Sequence, residues 1–231
     1  KLNSQLPDAT IVIDNYTTTC DSDIFDIDYT VYNVNSTEIL PANVRISFYI
    51  GTSLVGSAMT QNAIAIGGNE TGSITITLPT GSPETVEIKA VLDNNLAITE
   101  INESNNSFVL EVSQRFTPEF NILEDLISCN KGFTKGIFDF SSYDELVKTN
   151  ENHVVSFHTS LDDATNGINP INNTSNYEAI VTPTEIFVRI EIDDCFATTS
   201  FNLFTKNCPP TVYNAVSAKK KKKNDAFFID G

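Results

Sequence analysis

Two-residue alternation of apolar and polar side chains, repeated in short runs between turn residues, restricts this chain to sheets with one dry and one wet face. Phe25, Ile27, Tyr29 and Val31 alternate with Asp26, Asp28, Thr30 and Tyr32, and Val44, Ile46, Phe48 and Ile50 alternate with Arg45, Ser47 and Tyr49. Ile74, Ile76 and Leu78 are spaced by threonines, Val86, Ile88 and Ala90 by Glu87 and Lys89, and Phe108, Leu110 and Val112 close the set. With Ala9 to Ile13 as a first strand, residues 1–113 read as about seven strands with turns roughly every 8 to 12 residues, an antiparallel β-sandwich of immunoglobulin-like type.

The alternation stops at residues 114–118, where Arg115-Phe116-Thr117-Pro118 reads as a short linker. A second Ig-like sandwich is expected over 119–208. It opens on Phe120, Ile122 and Leu123, turns between Gly132 and Gly136, and continues with Ile137-Phe138-Asp139-Phe140. Ser142-Tyr143-Asp144-Glu145 has the pattern of a capping box for a short helix through about Lys148. Val154 to His158, the run Ile186, Val188, Ile190, Ile192, and Phe201 with Leu203 supply further strands. The fold class is therefore all-β: two tandem sandwiches followed by an incomplete C-terminal β segment at 209–231, where Phe227 and Ile229 share one face of a strand.

Charge narrows the partners. The net charge is −16, and five of the 14 basic residues lie in Lys219 to Lys223. An acidic body of this kind repels phosphate backbones, so nucleic acid is not an expected partner. The lysine run reads as a solvated stretch. No run of about 18 apolar residues is present, so no membrane span is expected. Lys1 does not open a basic segment followed by an apolar core, and the chain reads as the C-terminal part of a longer precursor. Cys20, Cys129, Cys195 and Cys208 form no C-x-x-C pair; four widely spaced cysteines in an acidic chain rich in Asn, Thr and Ser fit disulfides in an exported protein. Three pairings are open, with Cys129, Cys195 and Cys208 the candidates to pair among themselves.

Catalytic patterns are weak. His153 and His158, the only histidines, are five residues apart, which on an extended strand sends them to opposite faces as exposed or hydrogen-bonded strand residues. Gly51-Thr52-Ser53-Leu54-Val55-Gly56 has one residue too many for a nucleophile elbow and reads as a hairpin; no histidine lies in that unit to activate Ser53. Gly67 to Gly72 reads as another turn and lacks the lysine of a phosphate loop. The acidic pairs Asp21/Asp23, Asp162/Asp163 and Asp193/Asp194 offer hard oxygens that suit calcium, but without the spacing of an EF-hand. No catalytic, cofactor-binding or metal residue is assigned, and no cofactor is expected.

Three resemblances add to this reading. Pro7-Asp8, Asp28-Tyr29-Thr30-Val31-Tyr32-Asn33, Phe48-Tyr49-Ile50-Gly51, Val91-Leu92-Asp93-Asn94-Asn95 and Ile98 to Asn106 resemble the cell-adhesion-related CARDB domain. The Asn-rich last segment holds a loop in shape, because Asn and Asp side chains bond nearby backbone groups. Leu126-Ile127-Ser128-Cys129, Phe138-Asp139-Phe140-Ser141, Val155-Ser156-Phe157-His158, Asp162-Asp163-Ala164, Asn169-Pro170-Ile171, Ile186 to Ile190, Cys195 and Phe201-Asn202-Leu203 resemble a sandwich module of large flavobacterial surface proteins. The usual cysteine pair of that module corresponds to Cys129 and Cys195, which favours that bridge, with Cys208 competing. Finally, Ser217-Ala218, Lys223-Asn224-Asp225, Phe227, Ile229 and Gly231 resemble the opening of the gliding-motility-associated type B sorting domain of the bacterial type IX secretion system. Lys219 to Lys222 replace the turn glycines and acidic residue of that family.

Together the resemblances imply a secreted, non-catalytic stalk or adhesion region of a gliding-motility type. The implied partners are the type IX secretion machinery, through Asn224, Asp225, Phe227, Ile229 and Gly231, and a surface polysaccharide or cell-surface ligand, through exposed loops. A carbohydrate-binding accessory region of an exported enzyme is the alternative. A carboxylate-based enzyme built on the acidic loops is a more distant one.

Overall fold

The computed structural model describes residues 5–209. Lys219 to Lys223 and the sorting-domain residues Asn224, Asp225, Phe227, Ile229 and Gly231 lie outside the described residues. The described chain is all-β with two short helices.

Seven strands build the first body: β1 (Ala9–Thr17), β2 (Ile24–Asn33), β3 (Arg45–Ile50), β4 (Ser53–Met59), β5 (Asn69–Thr77), β6 (Thr85–Leu92) and β7 (Ser107–Ser113). They form one sheet in the order β1-β2-β5 and a second in the order β4-β3-β6-β7, with every neighbouring pair antiparallel. The alternation explains the packing directly. Phe25, Ile27, Tyr29 and Val31 of β2 face inward while Asp26 and Asp28 face water. They meet Ile46 and Phe48 of β3 and Ile88, Ala90 and Leu92 of β6 in one continuous core. Tyr29 and Phe48 bridge the two sheets with ring centroids 5.5 Å apart.

Residues 51–56 form the expected kind of hairpin, with Gly51 at φ 57° in the turn. The reading of Gly67 to Gly72 as one turn is corrected: the turn runs from Ala65 to Gly68, closed by Gly68 N donating to Ala65 O at 2.8 Å, and β5 starts at Asn69. Gly72 lies within the strand opposite Tyr29. A Cβ at Gly72 would sit 2.5 Å from Tyr29 Cζ, so the glycine makes room for a buried ring rather than bending the chain.

The second body contains β8 (Leu126–Cys129), β9 (Gly136–Phe138), α1 (Tyr143–Val147), β10 (Val154–His158), α2 (Leu161–Asn166), β11 (Tyr177–Ala179), β12 (Thr184–Ile192) and β13 (Cys195–Lys206). One sheet runs β10-β12-β13-β8, and β11-β9 forms a small second sheet. β8 joins β13 in parallel, the one parallel ladder among the described strands. Phe140, Phe157, Tyr177 and Phe201 cluster edge-to-face in the core between the sheets.

The helices depart from expectation. Ser142 precedes α1 but adopts a helical backbone (φ −86°, ψ −8°) and makes no capping bond, so the capping box does not form. An Ncap hydroxyl needs an extended backbone to reach the free N–H groups of the first turn. Ser160 meets that condition ahead of α2, at φ −143° and ψ 153°, and its hydroxyl accepts from Asp163 N. Gly167 in the left-handed region closes α2.

Candidate functional site

The cysteines define the place where the two bodies meet. Cys20, in the loop between β1 and β2, is bonded to Cys195 at the start of β13, with Cα atoms 5.7 Å apart. Cys129 is bonded to Cys208, with Cα atoms 5.4 Å apart. The favoured Cys129–Cys195 bridge is therefore corrected, and strand length gives the reason. β8 pairs with the far end of β13, so Cys129 lies opposite Lys206. Cys195 begins the same strand, about 36 Å away at about 3.3 Å per residue, whereas a disulfide spans Cα atoms only about 4.4–6.8 Å apart. Cys208, two residues past Lys206, is within reach. A signal for the crossing bond was present in the cysteine distribution. The first body holds Cys20 alone and the second holds three, so if all four pair, one bond must cross.

Beside that bond the connecting segment is clasped rather than free. Cys20 and Arg115 form a parallel β-bridge, and Asp21 N donates to Arg115 O at 2.8 Å. The Asp21 carboxylate accepts from Thr117 N at 2.9 Å and from the Thr117 hydroxyl at 2.5 Å. These bonds, the hydroxyl first, hold the Asp21 pKa below the usual carboxylate value. Gln114 N donates to Glu84 O, which ties the segment to the first body as well. Arg115 and Asp194 approach to 3.9 Å, but their side chains are 43% and 91% exposed, so the pair adds little. An open groove of about 530 Å³ runs along this seam, walled by Asp21, Glu84, Phe116, Glu119, His153 and Asp193.

The histidines are placed apart and neither is exposed. His153 lies just before β10 and is buried, with no partner for Nδ1, so its expected exposed or hydrogen-bonded state is corrected. His158 is fully buried within the second body. Its Nδ1 donates to Ile168 O at 2.8 Å, since a carbonyl only accepts, and its Nε2 shares a hydrogen bond with the Ser156 hydroxyl at 2.8 Å. That ring is spent on structure.

The acidic pairs have separate duties. Asp163 sits in the first turn of α2 and accepts from Asn169 and Ser160, which lower its pKa in that order. Asp193 and Asp194 form the β12–β13 turn with φ 48° and 66°. Among the described residues, no three His, Cys, Asp or Glu side chains gather as ion ligands.

The Asn-rich segment of the first body is a dense polar knot. Asp93 accepts from Ala97 N and Ile98 N, and Asn102 accepts from Ser104 N. Glu100 accepts from Ala9 N at 2.5 Å and from Asn106 Nδ2 at 2.8 Å. Burial raises its pKa against the lowering effect of those two bonds. Asn105 Nδ2 donates to Asp8 Oδ1, and fully buried Asn33 accepts from Asp8 N while donating to Glu38 O and Ile64 O. The segment thus pins the start of β1 to the loop before β7.

No curated protein matches the chain. Among solved structures, the crystal structure of a CARDB domain from Pyrococcus furiosus in complex with di-metal ions is 20% identical, covering 49% of this chain and 98% of its own, with a TM-score of 0.41. A domain of a putative cell surface protein from Methanosarcina acetivorans is 18% identical, covering 47% of this chain and 92% of its own, with a TM-score of 0.38. Residues 6–110 match the CARDB family, and residues 125–209 match the family described as Flavobacterium inter-domain disulphide bond domain. The two matched stretches follow one another along the chain and are joined by the Cys20–Cys195 bond, and the combination fits a cell-surface protein module of the Bacteroidetes type.

Proposed function

We propose that this chain is a rigid, non-catalytic spacer within a large secreted cell-surface protein. The observation that carries the reading is the Cys20–Cys195 bond beside the clasped segment 114–118: two covalent routes link the bodies at one seam. Domains joined by a single linker are expected to move relative to one another. A second tether removes most of that freedom, and in an oxidising compartment it persists. Small-angle scattering checks this. The oxidised protein is expected to fit one arrangement of the two bodies, and Cys20→Ser with Cys195→Ser is expected to need a broad ensemble. An equally broad ensemble for the oxidised wild type would rule the spacer out.

Export and adhesion complete the proposal. The type IX secretion machinery would engage the region holding Asn224, Asp225, Phe227, Ile229 and Gly231, and exposed loops of the sandwiches would meet a surface polysaccharide or another cell. A passenger fused to the protein's C-terminal region from Cys208 onward is expected to reach the medium or surface of a type IX-competent bacterium. Its retention in the periplasm, with a native sorting domain exported in parallel, would count against the export route.

A further inference from the structure

The Cys20–Cys195 bond decides which residues feel a pull on the two ends of the chain. From the amino end the chain enters β1 at Ala9, leaves it at Thr17 and reaches Cys20 three residues later. The bond then leads to Cys195, the first residue of β13, which runs for 12 residues to Lys206. Residues 21–194 form a side loop closed by that bond, so force applied at residues 5 and 209 has a covalent route that never enters them. That route, residues 5–20 and 195–209, holds 31 of the 205 described residues.

Most of the route is close to its full length already. A residue in a strand advances about 3.3 Å, and a fully drawn-out chain gains no more than about 3.6 Å per residue. β1 and β13 supply 21 of the 31 residues, so only the ten outside the strands hold slack. Both strands are also held along their length. β1 pairs with β2 from Ala9 opposite Asn33 to Thr17 opposite Asp26, and its entry is fixed by Leu6 N donating to Thr37 Oγ1 at 3.0 Å and by Ala9 N donating to Glu100. β13 lies between β12 and β8 and pairs with both. Cys195 is 1% exposed, which shelters the bond on the route, whereas Cys129, in the bond off the route, is exposed.

We infer that the Cys20–Cys195 bond is a tension shunt. Load passes along β1, across the two sulfurs and along β13, while β2 to β12 and both helices, all within residues 21–194, carry none. Forced unfolding depends on how fast a loaded element gives way, and here the elements that build most of both cores are not loaded. Unfolding any of them does not lengthen the route, so the ends draw apart only slightly whatever force acts on them. Without the bond, the same pull passes through every strand in turn. That the ends are loaded at all rests on the spacer reading; the limit on length does not, and it holds whichever way the two bodies are turned.

Single-molecule stretching of the full oxidised chain, held at Lys1 and Gly231, tests the shunt. With the flanks common to every variant subtracted, the wild type is expected to stop at about 110 Å between residues 5 and 209, the reach of 31 residues. Cys20→Ser with Cys195→Ser leaves only the route through Cys129–Cys208, which holds 127 residues, and is expected to reach about 450 Å, roughly a fourfold gain. Cys129→Ser with Cys208→Ser is expected to stop at the wild-type length, because that bond lies off the shorter route. A wild type that lengthens past its limit would overturn the shunt, as would a Cys20→Ser, Cys195→Ser chain that stops at it or a Cys129→Ser, Cys208→Ser chain that exceeds it. None of these outcomes depends on a variant folding, since the limit is a covalent length. A seam found mobile by scattering would refute the spacer and leave all three lengths in place.

Discussion

Serine at both Cys129 and Cys208 is expected to lower the stability of the second body by about 4 kcal/mol, from the loop-closure entropy of a bond spanning a separation of 79 residues. The bond acts where the sheet is weakest. β8 is four residues long, sits at the edge, and is held by the parallel pairs Leu126 to Cys129 against Leu203 to Lys206. Without the bond, the edge strand and the departing chain are free to separate together. The Cys20–Cys195 bond spans a longer separation of 175 residues, but it joins two bodies that each have their own core, so its removal acts chiefly on their orientation. Guanidinium unfolding of the oxidised wild type and of Cys129→Ser with Cys208→Ser measures the difference. A midpoint for the second body that does not move would show that these two cysteines are not partners. A thiol assay on Cys129→Ser alone gives an independent answer, with one free thiol expected at Cys208.

Much of this architecture was legible, and the exceptions have physical causes. Phe25 to Val31 and Val86 to Leu92 announced their faces because each strand has the core on one side and mostly water on the other, and Val44 to Ile50 kept the same alternation although Ser47 on its other face is buried. β4 was harder to see: Leu54 is half exposed, and Gly56 packs closely under Ile74 and Ile76 where a larger side chain would otherwise mark the inner face. α2 was hidden in what read as an acidic pair, because Asp162 and Asp163 serve its first turn and only Ser160 and Gly167, at its two ends, mark it as a helix. The disulfide pairing depended on β8 docking beside the end of β13, a long-range parallel contact for which no local pattern exists. The polar knot of the first body was visible only as an Asn-rich loop. What distinguishes Asn105 and Asn106 from Asn102 is that their nitrogens are claimed by carboxylates while their oxygens are left over, and spacing alone carries no trace of that.

Phe140→Ala is expected to cost about 3–5 kcal/mol, the usual range for removing a buried aromatic ring. Phe140 is fully buried, and its ring meets Phe157, Tyr177 and Phe201 at centroid distances of 5.2, 5.6 and 5.5 Å, all in edge-to-face geometry. Those partners come from β10, β11 and β13, so a single side chain joins the large sheet to the small one. Its backbone is also engaged, with Phe140 N donating to Thr174 O at 2.9 Å, which keeps the neighbouring chain from sliding into the space an alanine would leave. A domain of this size has a total stability of about 5–15 kcal/mol, so the variant should melt its second body well below the first while Cys20–Cys195 still holds the two together. Phe133→Ala supplies the contrast, because that ring is fully exposed and its removal is expected to change stability by less than about 0.5 kcal/mol. Thermal unfolding followed by near-ultraviolet circular dichroism separates the cases. Equal melting curves for Phe140→Ala and Phe133→Ala would mean that the second body is not organised around the Phe140 ring.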